Sequence, residues 1–363
     1  RRCACGVGAS WTLLTLGTYG SYGGHVQLVA SPGALHMFFT RQDGATSAIV
    51  YAKCTMANCT TPGSWATVEL PLPSGYLVPY ESKVLAVDSA GVPSFVYLTN
   101  PNNVYFVKCT GTDCLQAASW HETQIQTGGS RFNLQYQGTT AYLGYLDFDS
   151  GTGGYTTCAS NCLTIASWTR VEPFYAGHTT GLSHLGMAVG ATGSVHLAFN
   201  QGVTATTVPA AVKANDNKLE YWSCSSGCLT ASNWAGVLFD TDQGSYAIDL
   251  ALTPAGGVAI ASANATDSEV RSCKASCSNP ATVWPTTHLD SPPALEALRA
   301  AKLSTPCGSS AFAASWLPSG RLTLTATATQ LKVFSAARVD YECTTSSQYL
   351  AIGGVGRYFE TPY

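Results

Sequence analysis

One spacing constrains this chain more than any other: two cysteines four or five positions apart, followed by a tryptophan six positions after the second. It occurs as Cys54/Cys59/Trp65, Cys109/Cys114/Trp120, Cys158/Cys162/Trp168 and Cys224/Cys228/Trp234, and more loosely as Cys273/Cys277/Trp284. The tryptophans recur 48 to 66 residues apart, the extremes being Trp120 to Trp168 and Trp168 to Trp234. Self-similarity at such a period marks an architecture of stacked copies of one supersecondary unit.

The unit is clearest between Trp65 and Cys109. A short strand, Trp65–Leu70, leads into a loop containing Pro, Gly and Tyr. Then come Val84–Asp88, a Gly91 turn, the strand Pro93–Tyr97, an Asn/Pro loop at 100–103, and Val104–Val107. Apolar alternation bounded by turn residues reads as four strands per unit. Second and third strands of the same kind recur at 27–30 with 35–39, 185–189 with 195–199, 248–252 with 258–260, and 312–316 with 322–325. With the copy around Leu134 and Tyr142, these make six units. Only 11% of the residues are charged, which suits an all-β, loop-rich domain. Repetition along all 363 residues argues for a single domain, residues 1–363, in which each four-stranded unit covers the faces of its neighbours: a six-bladed β-propeller.

Fourteen cysteines, ten of them in five close pairs, predict disulfides and an oxidising compartment, so the protein is expected to be secreted, extracellular or periplasmic. Zinc is the rival for paired cysteines. The spacings are not C-x2-C, and no second pair or histidine stands at ligand distance. The five expected bridges are Cys54–Cys59, Cys109–Cys114, Cys158–Cys162, Cys224–Cys228 and Cys273–Cys277.

The chain opens and closes in the middle of the motif. Cys5 stands six positions before Trp11, as Cys59 does before Trp65, and Val339–Cys343 reads as a third strand ending on a first cysteine. The N-terminal strand is therefore expected to close the last blade, built from residues 310–343 plus 5–17, with Cys343 bonded to Cys5. By loop entropy a bridge closing some 340 residues would contribute about 6 kcal/mol, against about 2 kcal/mol for each short loop. Cys3 and Cys307 are left to pair, and Cys3 and Cys5 can exchange roles. Residues 291–303, with Pro, Glu, Leu and Ala, predict an inserted helix. Residues 200–218 predict a long polar loop, and 344–363 a tail.

The strand ending Ala86-Val87-Asp88, the Gly91 turn, the strand starting at Pro93 and the later Trp65, together with Gly193 and His196, resemble the repeats of secreted bacterial β-propellers of the sialidase-like superfamily. The resemblance spans nearly the whole chain and implies the fold. The Asp-box and Phe-Arg-Ile-Pro motifs of sialidases are absent, so it implies no activity.

In such a repeat the cysteine loops share one edge of the blades. The loops from outer to next inner strand, and from second to third strand, share the other. That second edge is expected to collect Tyr19, Tyr22, Tyr76, Tyr80, Arg131, Tyr175 and Tyr246 as ligand-binding residues. Tyrosines offer a flat face plus a hydroxyl, which suits glycans and other polar ligands. The same edge carries Glu81, Asp240 and His178 as candidate catalytic groups, and His25 and His184 as candidate metal ligands of the kind zinc or copper prefers. His36 and His196 occupy equivalent second-strand positions, where a structural hydrogen bond between layers is expected. Asp147-Phe-Asp149-Ser-Gly151 has the carboxylate alternation of a calcium loop without the rest of an EF-hand, and an ordinary turn is expected there.

A net charge of −3 without a basic cluster offers nothing to a phosphate backbone, so nucleic acid is not an expected partner. No apolar run is long enough to span a bilayer. The expected function is an extracellular recognition module for a glycan or another polar ligand, requiring no cofactor. The alternative is a hydrolase or lyase, glycosidase-like or metal-dependent, at the same edge, for which a transition metal or calcium would be available.

Overall fold

The computed structural model describes residues 26–43, 46–55, 59, 63–71, 76–77, 84–99, 103–147, 151–175, 185–201, 218–239, 247–252, 257–263, 268–289, 300–304, 313–315, 321–326, 330–334, 339–342, 347–350 and 358–362. The described residues are almost wholly β, and the first five sheets are antiparallel. The first sheet runs β1 (Val26–Ser31), β2 (Ala34–Asp43), β3 (Thr46–Thr55) and β4 (Ala66–Pro71). The second holds β5 (Tyr76–Leu77) and β6 (Leu85–Val87), both paired to β7 (Pro93–Thr99), then β8 (Asn103–Cys109) and β9 (Trp120–Thr127). The third contains β10 (Arg131–Gln137), β11 (Thr140–Asp147), β12 (Thr152–Cys158) and β13 (Thr169–Tyr175). The fourth contains β14 (Leu185–Val189), β15 (Val195–Gln201), β16 (Lys218–Cys224) and β17 (Ala235–Leu238). The fifth contains β18 (Ala247–Leu252), β19 (Val258–Ala263), β20 (Ser268–Cys273) and β21 (Thr286–Leu289).

The cysteines keep these sheets in one register. Leu35, Ala141, Val195 and Val258 of the second strands face Cys54, Cys158, Cys224 and Cys273 of the third. With side chains alternating across a strand, the residue three before each first cysteine always falls on the same face. Those residues are Tyr51, Phe106, Tyr155, Tyr221 and Val270, and all are buried.

The chain divides into two compact units, one of residues Thr12–Glu172 and the other of Arg1–Trp11 with Pro173–Tyr363, so that the division falls inside β13. In the first, β1, β6 and β10 lie side by side. There Gln27 Oε1 accepts hydrogen bonds from the amides of Val84 and Leu85 at 2.9 Å, and Ser94 and Tyr136 hydroxyls meet at 2.8 Å. In the second, β14 lies against β18. Gly186 permits that approach, because a Cβ at that position would stand 2.9 Å from the Leu250 amide nitrogen.

The five expected short disulfides are all formed. Those ten sulfurs therefore bind one another and not zinc. In the three shorter loops the residue before the second cysteine turns left-handed: Asn161 and Ser276 at φ 53° and Gly227 at φ 63°. A single 3-10 turn then delivers the tryptophan, as at Ala117–Ser119, Ile165–Ser167 and Ala231–Asn233.

The indole does two things. Its Nε1 donates to the carbonyl of the second cysteine, from Trp65 to Cys59, Trp120 to Cys114, Trp168 to Cys162 and Trp234 to Cys228, at 2.8–2.9 Å. Its ring meets, edge to face, the aromatic three before the first cysteine of the preceding sheet. Trp120 packs on Tyr51 at 5.1 Å, Trp168 on Phe106 at 5.0 Å and Trp284 on Tyr221 at 5.2 Å. Such a pair contributes about 0.5–1.5 kcal/mol beyond its buried area. The fifth loop has one extra residue between Cys277 and Trp284, and there the buried Nε1 has no hydrogen-bond partner.

Past β21 the expectations need correcting. Residues 300–304, the C-terminal end of the expected helix at 291–303, form β22 (Ala300–Ser304), while 291–299 lie outside the described residues. Ala and Lys are good helix formers, but intrinsic propensity is a weak prior that pairing with a neighbouring strand overrides. The last large sheet joins β22 to β23 (Ala313–Ser315), β24 (Arg321–Ala326), β25 (Gln330–Phe334) and β28 (Tyr358–Pro362). β26 (Val339–Glu342) pairs with β27 (Ser347–Leu350) and is not the third strand of that sheet. β25 stands where 339–343 was expected, and its other neighbour is β28, a strand within the segment 344–363 expected as a tail. Residues 5–17, Cys3, Cys5, Cys307 and Cys343 lie outside the described residues, as do the two long-range bridges expected of them.

The orphan indole gives a test. Trp168→Phe removes a satisfied hydrogen bond and is expected to cost about 1 kcal/mol more in urea unfolding than Trp284→Phe, which removes an unsatisfied donor. Equal losses would refute the role given to the six-residue offset.

Candidate functional site

The disulfide loops hold one edge of the sheets, so chemistry open to variation falls to the opposite edge. In the first unit this edge is formed by the turns from β9 to β10, β11 to β12 and β7 to β8. Gly128 and Gly129 make the first of these turns with φ 82° and 120°. A Cβ on Gly128 would lie 2.5 Å from Asp147 Oδ2, and one on Gly129 would lie 2.6 Å from the Phe132 ring. Glycine is therefore required twice, by conformation and by space. Ser130 N donates to Leu146 O at 2.7 Å, Gln126 Nε2 to Gly128 O at 3.0 Å, and Arg131 Nη1 to Ser130 O at 3.0 Å. Asp147 is buried against this turn at the end of β11 and starts the segment compared above with a calcium loop; 148–150 lie outside the described residues.

The carboxylates nearby are held by hydroxyls and guanidinium groups. In the second sheet Tyr97 donates to Glu122 Oε2 at 2.6 Å and stacks on Tyr105 at 5.2 Å. Burial first, and the Glu122 contact second, push the Tyr97 hydroxyl far above its ordinary pKa, so it stays a donor. In the third sheet Glu172 Oε1 accepts from Tyr145 at 3.0 Å, from Thr152 at 3.4 Å and from Arg170. The Arg170 guanidinium lies 4.7 Å over the Tyr145 ring. In the fifth sheet Glu269 accepts from Ser262 at 3.2 Å and from Arg271 at 2.8 and 3.0 Å.

Sequence reasoning missed Glu220. It is buried on β16, and burial raises its carboxyl to about 7, partly offset by the Trp222 indole donating to Oε2 at 2.7 Å. Its signal was a lone acid inside the apolar run Leu219-Glu220-Tyr221-Trp222.

Three of the expected binding residues fall within the described strands. Tyr76 opens β5 opposite Thr99, Arg131 opens β10 opposite Leu146, and Tyr175 ends β13. All three stand at strand ends away from the disulfide loops, and Tyr76 and Arg131 share this edge on adjacent sheets of one unit. Tyr19, Tyr22, Tyr80, Tyr246, Glu81, Asp240, His178, His25 and His184 lie outside the described residues. Among the described residues no three His, Cys, Asp or Glu side chains are grouped to hold a metal ion.

His36 and His196 are structural, as expected, but their partners differ from expectation. Each bonds within its own sheet: His36 Nδ1 to Tyr51 Oη at 2.7 Å, and His196 Nδ1 to Tyr221 Oη at 2.7 Å.

Gly128→Ala is expected to destabilise the protein by more than about 1 kcal/mol, from the left-handed conformation and the clash with Asp147 together. Gly138→Ala, also at positive φ but with nothing within 4 Å of its Cβ, should cost less. Denaturant unfolding of the two variants checks the difference.

No protein-family model matches the chain, and no curated protein matches it by sequence. Among solved structures it is similar to AofleA from Arthrobotrys oligospora, with a TM-score of 0.50 and 9% identity over 92% of this chain and 87% of that one. A triple arginine-to-alanine mutant of AofleA gives a TM-score of 0.51 and 8% identity over 92% and 88%. The likeness is one of fold alone. The α-L-arabinofuranosidase PaAbf62A from Podospora anserina, in complex with cellotriose, reaches a TM-score of 0.36 at 13% identity over 72% and 87%.

Proposed function

We propose that this protein is a secreted recognition module, a six-bladed β-propeller that binds glycans through the edge opposite its disulfide loops. The observation that carries this reading is the division of labour between the two edges. One is fixed by five disulfides, while the other takes the Tyr76, Arg131 and Tyr175 backbone positions to the ends of their strands. Tyrosine faces stack on the apolar face of a sugar ring, and tyrosine hydroxyls and an arginine fork supply hydrogen bonds to its hydroxyl groups. Tyr19, Tyr22, Tyr80 and Tyr246 complete the same edge in this proposal. Five disulfides suit a protein that works outside the reducing cytosol. No helix among the described residues is long and apolar enough to cross a membrane.

The binding reading is also supported by four of the described glutamates. A glycosidase needs two carboxyl groups roughly 5–10 Å apart and free to act on substrate. Glu122, Glu172, Glu220 and Glu269 are each held by a tyrosine, serine, arginine or tryptophan donor.

Glycan screening followed by calorimetry on the full chain tests the reading. Tyr76→Ala and Arg131→Ala should each weaken binding by roughly tenfold, the loss of one stacking or charged hydrogen-bond contact, with unchanged melting. Ile165→Ala, at the disulfide edge, should bind as the parent does. Release of reducing sugar from the bound glycan would decide instead for the hydrolase.

A further inference from the structure

The tryptophan joints between sheets are not alike. Trp120 and Trp284 lean on Tyr51 and Tyr221, and each of those tyrosines is hydrogen-bonded to an imidazole. The chains continue on the far nitrogens: His36 Nε2 meets Ser31 Oγ at 2.8 Å, and His196 Nε2 meets Ser194 Oγ at 3.1 Å. The same Ser–His–Tyr–Trp relay is thus built twice, once in each compact unit. In the third joint, Trp168 on Phe106, the partner ring has no hydroxyl, and the position equivalent to His36 holds Ser94, which bonds Tyr136 and does not titrate.

We propose that His36 and His196 are acid-sensitive latches, which on protonation loosen the Tyr51–Trp120 and Tyr221–Trp284 joints while the Phe106–Trp168 joint stays closed. A neutral imidazole has one N–H and one lone pair, so it fits a chain in which the tyrosine hydroxyl is donor at one end or acceptor at the other. An imidazolium donates from both nitrogens. The tyrosine oxygen must then accept, its proton must find another buried acceptor, and a charge is left in the sheet interior. The facing groups offer no opposite charge. Opposite His36 on β3 stands Lys53, of the same sign, and opposite His196 on β16 stands Ser223. Lys218 and Glu220 alternate onto the other face of β16 from Tyr221, and Trp120 and Trp284 carry no charge. No carboxylate among the described residues bonds either ring.

Burial, helped at His36 by the Lys53 charge, lowers the pKa of His36 to about 4; burial alone lowers that of His196 to about 4. In the unfolded chain both would titrate near 6.5. The unfolded or opened state therefore binds more protons than the closed one. The latch is fully closed above about pH 6.5, and its stability falls as the pH drops through 6.5, levelling off below about pH 4.

Hydrogen-exchange mass spectrometry of the full chain at pH 7 and pH 4.5, with exchange times corrected for intrinsic rate, reads the three joints separately. Local opening should rise roughly tenfold or more in segments carrying Tyr51 and Trp120, and Tyr221 and Trp284, and not in those carrying Phe106 and Trp168. His36→Gln, which keeps polar groups but does not titrate, should abolish the rise at its own joint and leave that at Tyr221–Trp284. Equal acid opening at all three joints, no opening at the two latched joints, or an unchanged pH response in His36→Gln would each overturn the proposal. Should His36→Gln fail to fold, the comparison of three joints in the parent chain and the His196→Gln variant still decide it.

Discussion

Within each compact unit, consecutive sheets are joined by a tryptophan ring that packs edge to face on an aromatic of the sheet before. A four-stranded sheet has two faces to bury and little of its own to bury them with. Trp120 and Trp168 solve this by reaching from one sheet to an aromatic of the sheet before. The disulfide, the left-handed residue and the 3-10 turn are the means of aiming that ring. The hydrogen bond from Nε1 to the cysteine carbonyl accompanies that packing at Trp120 and Trp168, whereas Trp284 keeps the same tilt without it.

The functional division follows from the same constraint. Loops that aim tryptophans satisfy the indole N–H where the six-residue offset is kept. At Trp284, with one residue added, the ring is still aimed but its Nε1 has no partner among the described residues. The turns at the opposite edge carry no such duty, and each is shaped by its own local needs, as the two left-handed glycines of the Gly128–Gly129 turn are. A site assembled there draws its residues from different repeats, which is why no contiguous motif announces it.

What the sequence made legible was local or periodic. The disulfides came from spacing, the strands of the first five sheets from alternation between turns, and the structural role of His36 and His196 from their equivalent positions. The partner of each tryptophan was not legible, since it lies more than sixty positions away and is specified only by a shared register. Glu220 was passed over because a single acid in an apolar run carries no period. The segment 300–304 was misread because its residues favour helix in isolation, whereas its partners on β23 and β24 are visible only in the folded sheet. Tyr76, Arg131 and Tyr175 lie at strand ends, Tyr76 and Arg131 opening β5 and β10 and Tyr175 ending β13. Their chemistry as a binding edge is a proposal of side-chain type, which periodicity cannot supply.

A double-mutant cycle between Trp168 and Phe106 tests the central claim most directly, since this joint has no hydroxyl or imidazole to complicate the coupling. Unfolding free energies of Trp168→Leu, Phe106→Leu and the double variant should give a coupling of about 0.5–1.5 kcal/mol, the worth of an edge-to-face pair that links two sheets. Additive effects of the two substitutions would mean that the rings only fill space, and that the sheets are joined by something other than the tryptophans.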